Sequence, residues 1–331
     1  MTLMKRCIKL LFLVFCPLIL FAQQNMKLPD ARGRAHLVYH PKSKALLLFD
    51  GYSTHLDSTQ NNVWKWDGKK WDRIIAYGPS SRSANAAALD PETGDVILFG
   101  GWGKGGPATD SRNDTWKFDG SKWTEIKTNF IDKHDHHKMV YVDHLNAFVI
   151  YGGFNSTTKT FDSTTWLLKD NMFTGLSIPG PGASGNAGFA YDPVRKKVVL
   201  YGGKKYDLPA ELWEFDGKKW EQVPVENIGM TTGQEMVYSN VHKMIIVNGY
   251  SGTWGWNGKA MTKIAEPGPV GSNTALGYDQ ERKVVVAYGG FMENNTISSA
   301  LWELKDGEWK KVSDNGIWKQ VSRGKYERIN Q

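Results

Sequence analysis

Arg34, His36, Asn85, His137, Asn186, Glu235 and Asn273 are the side chains of this sequence whose types could act together on a polar ligand. Each stands near the start of a short segment that runs on to a polar turn. Glu235 or His36 could give or take a proton, and Arg34 could hold a carboxylate. Brought round one channel, these groups would form a polar pocket, to be satisfied by one another, by water or by a ligand. A second set occupies the position after a Gly-Gly or its equivalent: Tyr52, Trp102, Phe154, Lys204, Tyr250 and Phe291. Five of these six are aromatic, and rings with an open face stack on sugars or on apolar side chains. A third cluster, His134-Asp135-His136-His137, invites a metal reading. Structural zinc takes four ligands at fixed spacing, which this run lacks, so no metal and no other cofactor is expected.

The elements that must position these residues are set out by an internal repeat. The phrase Trp116-Lys117-Phe118-Asp119-Gly120-Ser121-Lys122-Trp123 has counterparts beginning at Trp64, Trp166, Trp213, Trp254 and Trp302. Seven residues after each leading Trp stands Trp71, Trp123, Phe173, Trp220, Met261 or Trp309. A turn pair lies between them: Asp67-Gly68, Asp119-Gly120, Asp170-Asn171, Asp216-Gly217, Asn257-Gly258 and Asp306-Gly307. Such pairs tolerate positive φ and predict two-residue hairpins. Upstream, Val96-Ile97-Leu98-Phe99-Gly100-Gly101 recurs at 148–153, 198–203 and 285–290, with degraded copies at 46–51 and 245–249. A further small-residue strand precedes each of these runs across a polar turn. Four short strands per repeat are therefore expected, with no helical periodicity after the N-terminal segment.

Six copies of four strands, their leading Trp spaced by 52, 50, 47, 41 and 48 residues, predict an all-β fold of propeller type. At these residues the chain resembles the kelch family, whose repeats carry a Gly-Gly after the second strand and a Trp beyond it. The resemblance covers 31–312 and implies a six-bladed β-propeller with repeats at about 31–75, 79–126, 135–176, 180–223, 230–264 and 267–312. The tail, 313–331, would pack on or close the ring. The motif speaks to fold and is nearly silent on activity. In kelch relatives the binding face is the one where first strands begin and second strands end, which is where both polar and aromatic sets are expected.

Composition narrows the classes further. The 331 residues include 14 Trp and 35 Gly but only 2 Cys, Cys7 and Cys16. Residues 1–22 read as a secretory signal: Lys5 and Arg6, an uncharged apolar run, then Ala22 before Gln23-Gln24. About 15 apolar residues are short for a membrane span. The mature chain is expected to be secreted or periplasmic, without cysteine and with no stable membrane span. Its Lys and Arg form no basic stripe, so nucleic acid is not an expected partner.

These features favour a binding module that grips a protein segment or a glycan on one face of the ring. The alternative is a carbohydrate-active enzyme. The kelch resemblance brings in exported N-acetylneuraminate mutarotases, for which Glu235 or His36 would serve as proton donor and acceptor beside Arg34. It also brings in galactose oxidases, whose copper site needs a cysteine that the mature chain lacks.

Overall fold

Each aliphatic run ahead of a Gly-Gly becomes the second strand of a four-stranded antiparallel sheet. Ala45–Phe49, Asp95–Phe99, Ala147–Tyr151 and Val284–Tyr288 are buried at every residue. A strand apolar throughout must be covered on both faces, and here neighbouring sheets do the covering. The computed structural model describes residues 28–53, 62–104, 106, 109–203, 209–322 and 325–329. The expected signal segment, 1–22, and Lys204 lie outside the described residues.

Six sheets follow the six repeats. Their first strands are His36–His40, Ala86–Asp90, Lys138–Val142, Gly188–Asp192, Glu235–Ser239 and Ala275–Asp279. Within each sheet the four principal strands pair in sequence order. The six first strands lie side by side in succession, and Ala275–Asp279 also packs beside His36–His40. The described helix is confined to two 3-10 turns, Pro41–Ser43 and Asp143–Leu145. This is an all-β architecture of the propeller type.

Each leading Trp stands on a third strand opposite the fourth residue of an aliphatic run, as in Leu98 with Trp116 and Leu200 with Trp213. Most of these indoles lie half-buried at the outer side, while Trp71, Trp123, Phe173, Trp220 and Trp309 are buried in the seams between sheets. Apolar clusters fill all six seams, including the one where Leu46, Leu48 and Trp64 of the first sheet meet Val284, Val286 and Tyr288 of the sixth. Burying one such aromatic contributes about 2–3 kcal/mol.

The hairpins differ from expectation. Trp66 pairs with Trp71, Phe118 with Trp123, Phe215 with Trp220 and Trp256 with Met261, so four of the loops hold four residues, not two. The Asp or Asn side chain takes two amides of its own turn, as Asp67 Oδ1 does from Lys69 N and Lys70 N at 2.8 and 2.9 Å. Only Asp170-Asn171 and Asp306-Gly307 make the two-residue form, both residues of each at positive φ.

The second Gly of each pair joins one sheet to the next. Gly101 N–H donates to His134 O at 2.8 Å, Gly153 to Ser184 O at 2.6 Å and Gly203 to Thr231 O at 2.7 Å. Gly290, after the sixth sheet, donates to Arg32 O ahead of the first at 2.8 Å. A Cβ on Gly101, at φ +90°, would lie 2.8 Å from Ser83 O, so the crossing admits no side chain. A seventh four-stranded sheet stands apart from the repeat. It is built of Phe291–Met292, Thr296–Ser298, Ile317–Ser322 and Lys325–Ile329, so the tail supplies two strands to a hairpin that leaves the sixth repeat.

Candidate binding face

Two residues before each first strand, one residue per repeat adopts the left-handed conformation: Arg34, Ala84, His136, Asn186, Gly233 and Asn273. Their main chains interlock. Arg34 N donates to Asn273 O at 2.9 Å, Asn273 to Gly233 at 2.6 Å, Gly233 to Asn186 at 2.9 Å, Asn186 to His136 at 3.2 Å and His136 to Ala84 at 2.7 Å. This belt of backbone constricts the channel where the first strands begin. The space left among Arg34, His36, Asn186, Glu235 and Asn273 is about 10 Å³, room for about one water.

The polar set foreseen from sequence therefore falls on three successive tiers. Arg34, Asn186 and Asn273 lie on the belt itself. Asn85 and His137 follow it and are buried, Asn85 Nδ2 donating to Asp50 Oδ2 at 3.2 Å and His137 Nε2 to Phe99 O at 3.2 Å. His36 and Glu235 come next, opposite Phe49 and Asn248 on their second strands, and Lys138, opposite Tyr151, shares their tier. Lys138 Nζ donates to Glu235 Oε1 at 2.5 Å. Sequence reasoning missed Lys138, and counting each first strand back from its pairing with the Gly-Gly run would have found it.

Burial governs the titration of this region. It brings His36 down to about 4, helped by the charge of Lys138 and opposed by the bond from Nε2 to Asn85 O at 2.9 Å. Burial holds the Glu235 carboxyl above its usual range, with Lys138 drawing it back in part. Asp50 is raised to about 6 by burial, against the pull of Arg82 and Arg32.

The His cluster resolves into separate roles. His134 is fully buried, with Nε2 3.4 Å from Asp162 Oδ2, and stacks on His137 at 5.6 Å. His136 Nδ1 donates to Asp135 Oδ1 at 2.5 Å, and the other oxygen of that buried carboxylate accepts from Ser111 Oγ at 2.5 Å. Burial lowers the proton affinity of His136, Asp135 opposes this, and the charge of Arg34 adds to it. Among the described residues no three His, Cys, Asp or Glu side chains converge as metal ligands.

Above the belt lie the aromatics. Trp102, a candidate exposed platform, is 6% exposed, held by its main chain to Ser83 and by its ring against Tyr52 at 5.9 Å. Tyr52 bridges onward to Phe291 at 6.1 Å, and the Arg34 guanidinium lies 5.3 Å from the centre of the Phe291 ring. That ring rests on Gly33, where a Cβ would come within 2.5 Å of it. Phe154 is half-buried and meets the edge of Phe161 at 5.5 Å. Tyr250 is 46% exposed and its hydroxyl donates to Phe291 O at 3.2 Å. Tyr52, Tyr250 and Phe291 surround a pocket of about 250 Å³ completed by Met292, Asn295, Thr296, Ile297 and Gln320. The last five come from the seventh sheet and its hairpin; the segment after Phe291 was expected on this face, and Gln320, from the tail, was not.

No protein-family model matches the chain, and no curated protein matches it. Among solved structures, that of YjhT is similar: TM-score 0.65, 14% identity, covering 87% of this chain and 99% of that one. At that identity the likeness speaks to fold alone, and it agrees with an all-β architecture of the propeller type.

Proposed function

We propose that the chain is an exported six-bladed propeller that binds a glycan or a protein segment on the face carrying the Gly-Gly strand ends. Six repeats whose first strands neighbour one another in succession support the blade count. Packing of the sixth first strand beside the first supports closure without strand exchange. The observation that carries the binding reading is the pocket between Tyr52, Tyr250 and Phe291, with the carboxamides of Asn295 and Gln320 at its side. Aromatic faces beside amides suit a saccharide, whose C–H face stacks while its hydroxyls pair. A glycan array probed with wild type and with Phe291→Ala tests this. A saccharide held by wild type and lost by the variant supports the site, and one held equally by both places the site elsewhere. Export is tested by the N-terminus of the protein recovered outside the cytoplasm, expected at Gln23.

A second reading, a mutarotase-like enzyme, draws support from the Asp135–His136 contact. The carboxylate orients the imidazole through Nδ1, leaving Nε2 for proton transfer, and Arg34 on the same belt supplies a cation for a substrate carboxylate. Anomerisation of sialic acid followed by NMR decides this, with His136→Gln and Glu235→Gln as controls. A rate no faster than buffer ends it.

A further inference from the structure

Below the belt the channel widens into a cavity of about 360 Å³ that runs from His36, Lys138 and Glu235 to the far ends of the first strands. We infer that this cavity is a second ligand site, entered from the face opposite the aromatic pocket, for a small uncharged molecule with an apolar body and one hydrogen-bonding head. Three observations carry it.

The first is the far mouth. The fourth residue of the first strands is Tyr39, Tyr141, Tyr191, Tyr238 and Tyr278, with Leu89 in the second sheet, and all of them line the cavity. Each sits at a different seam between sheets. Turn residues anchor two of them by their hydroxyls. Tyr141 Oη donates to Asn146 Oδ1 at 2.5 Å, and Tyr191 Oη donates to Asp143 and lies 3.1 Å from His144 Nδ1. These two rings are held at both ends, and such preorganisation lowers the entropy cost of binding.

The second is the closed end. The belt leaves about 10 Å³ above this tier, so a ligand larger than water reaches it only past the tyrosines. At 360 Å³ the cavity itself lies within the range of small-molecule sites, about 300–1,000 Å³.

The third is chemistry. Lys138 and Glu235 offer a donor and an acceptor at the deep end, already joined to each other. A charged head would meet a like charge beside its partner, whereas an amide or hydroxyl can accept from Lys138 and donate to Glu235 at once. The walls between the pair and the tyrosines are aliphatic, including Val38, Ala88, Val140, Val237 and Leu276. Their side chains offer nothing to the hydroxyls of a sugar ring, which would have only the main-chain groups of these edge strands to pair with. An apolar ring or chain loses nothing there.

Titration calorimetry on the full chain, with benzamide as probe and benzoate, benzylamine and glucose beside it, tests the site. Benzamide is expected to bind saturably at one site, and the two charged analogues at least 10-fold more weakly. Ala88→Trp, which fills the cavity, is expected to abolish that binding, and the double variant Lys138→Met/Glu235→Met to weaken it at least 10-fold. Folding of both variants is checked by thermal unfolding. Should they fail to fold, 3-fluorotyrosine labelling of wild type gives the answer: benzamide shifts the fluorine signals of Tyr191 and Tyr238 and not that of Tyr77, which is 94% exposed elsewhere. No saturable binding of benzamide, binding unchanged in Ala88→Trp, glucose bound in its place, or fluorine shifts at Tyr77 alone would each overturn the proposal.

Discussion

Trp66 of the first sheet donates its indole N–H to Glu303 of the sixth at 3.1 Å. Arg282 binds the same carboxylate at 2.5 Å and reaches back to Asp279 at 2.7 Å. The arrangement is repeated between the fourth and fifth sheets, where Trp256 donates to Glu214 at 3.0 Å and Arg195 joins Glu214 to Asp192. One polar clasp thus spans two different seams, and one of those seams joins the ends of the repeat array.

Removing the clasp at the first–sixth seam is expected to destabilise the whole array. Glu303→Ala leaves the Trp66 N–H and Arg282 without their shared acceptor, at a cost of about 1–3 kcal/mol. The exposed pair Lys44–Glu281, 3.8 Å apart, serves as control, and Glu281→Ala is expected to cost under about 0.5 kcal/mol. Urea unfolding of the two variants makes the comparison.

Arg82 is fully buried and grips Asp114 through both guanidinium nitrogens at 2.6 and 2.8 Å, while a further bond holds Gly100 O at 2.9 Å. Arg82→Met leaves that carboxylate without its cation, with only the Trp116 indole N–H still donating to it at 2.6 Å, and is expected to cost about 3 kcal/mol. Burial raises the proton affinity of Asp114, but the bonds and charge of Arg82 more than reverse it, leaving it below the ordinary value. A carboxylate lowered in this way stabilises the fold above its unfolded value and ceases to do so as pH falls through its folded one. The variant is therefore expected to lose less Tm than wild type between pH 7 and strongly acid solution.

His36 acts at milder pH. The unfolded chain takes up this proton near 6.5, the folded one near 4, so acidification across that interval favours unfolding, by up to about 3 kcal/mol. Below about pH 4 the group adds no further loss. His36→Gln is expected to flatten the fall in Tm between pH 7 and 4.5, whatever its effect at pH 7. Parallel curves for the two proteins would show that another group drives the acid loss.

The scaffold was legible because its signals are local. A Trp, a turn pair and an aromatic seven residues on lie within one hairpin, and the aliphatic run with Gly-Gly lies within one strand. The tiers of the channel were not legible, because the left-handed residue that sets their register is Arg, Ala, His, Asn, Gly and Asn in turn. Backbone hydrogen bonds between neighbouring repeats hold that conformation, and no single side chain announces it. Trp102 and Tyr250 hold equivalent places in the repeat, yet Trp102 is buried against Tyr52 and Ser83 while Tyr250 is half-exposed, a difference set by neighbours outside the repeat pattern. The seventh sheet joins 291–298 to 317–329, a pairing between segments with no shared pattern.

Trp102→Ala is accordingly expected to act on stability, lowering it by about 3 kcal/mol through the cavity it leaves beside Tyr52. Thermal unfolding measures the loss. An unchanged Tm would mean that the indole is not packed as described.

The most direct measurement is a calorimetric titration of a saccharide that binds wild type into Tyr250→Ala, with Tyr77→Ala as control. Tyr250 is half-exposed on the candidate pocket, and Tyr77 is 94% exposed outside it. Loss of one stacking ring is expected to weaken binding about 10-fold in Tyr250→Ala, with Tm unchanged in both variants and affinity unchanged in Tyr77→Ala. Equal affinity for all three proteins would contradict the assignment of this face.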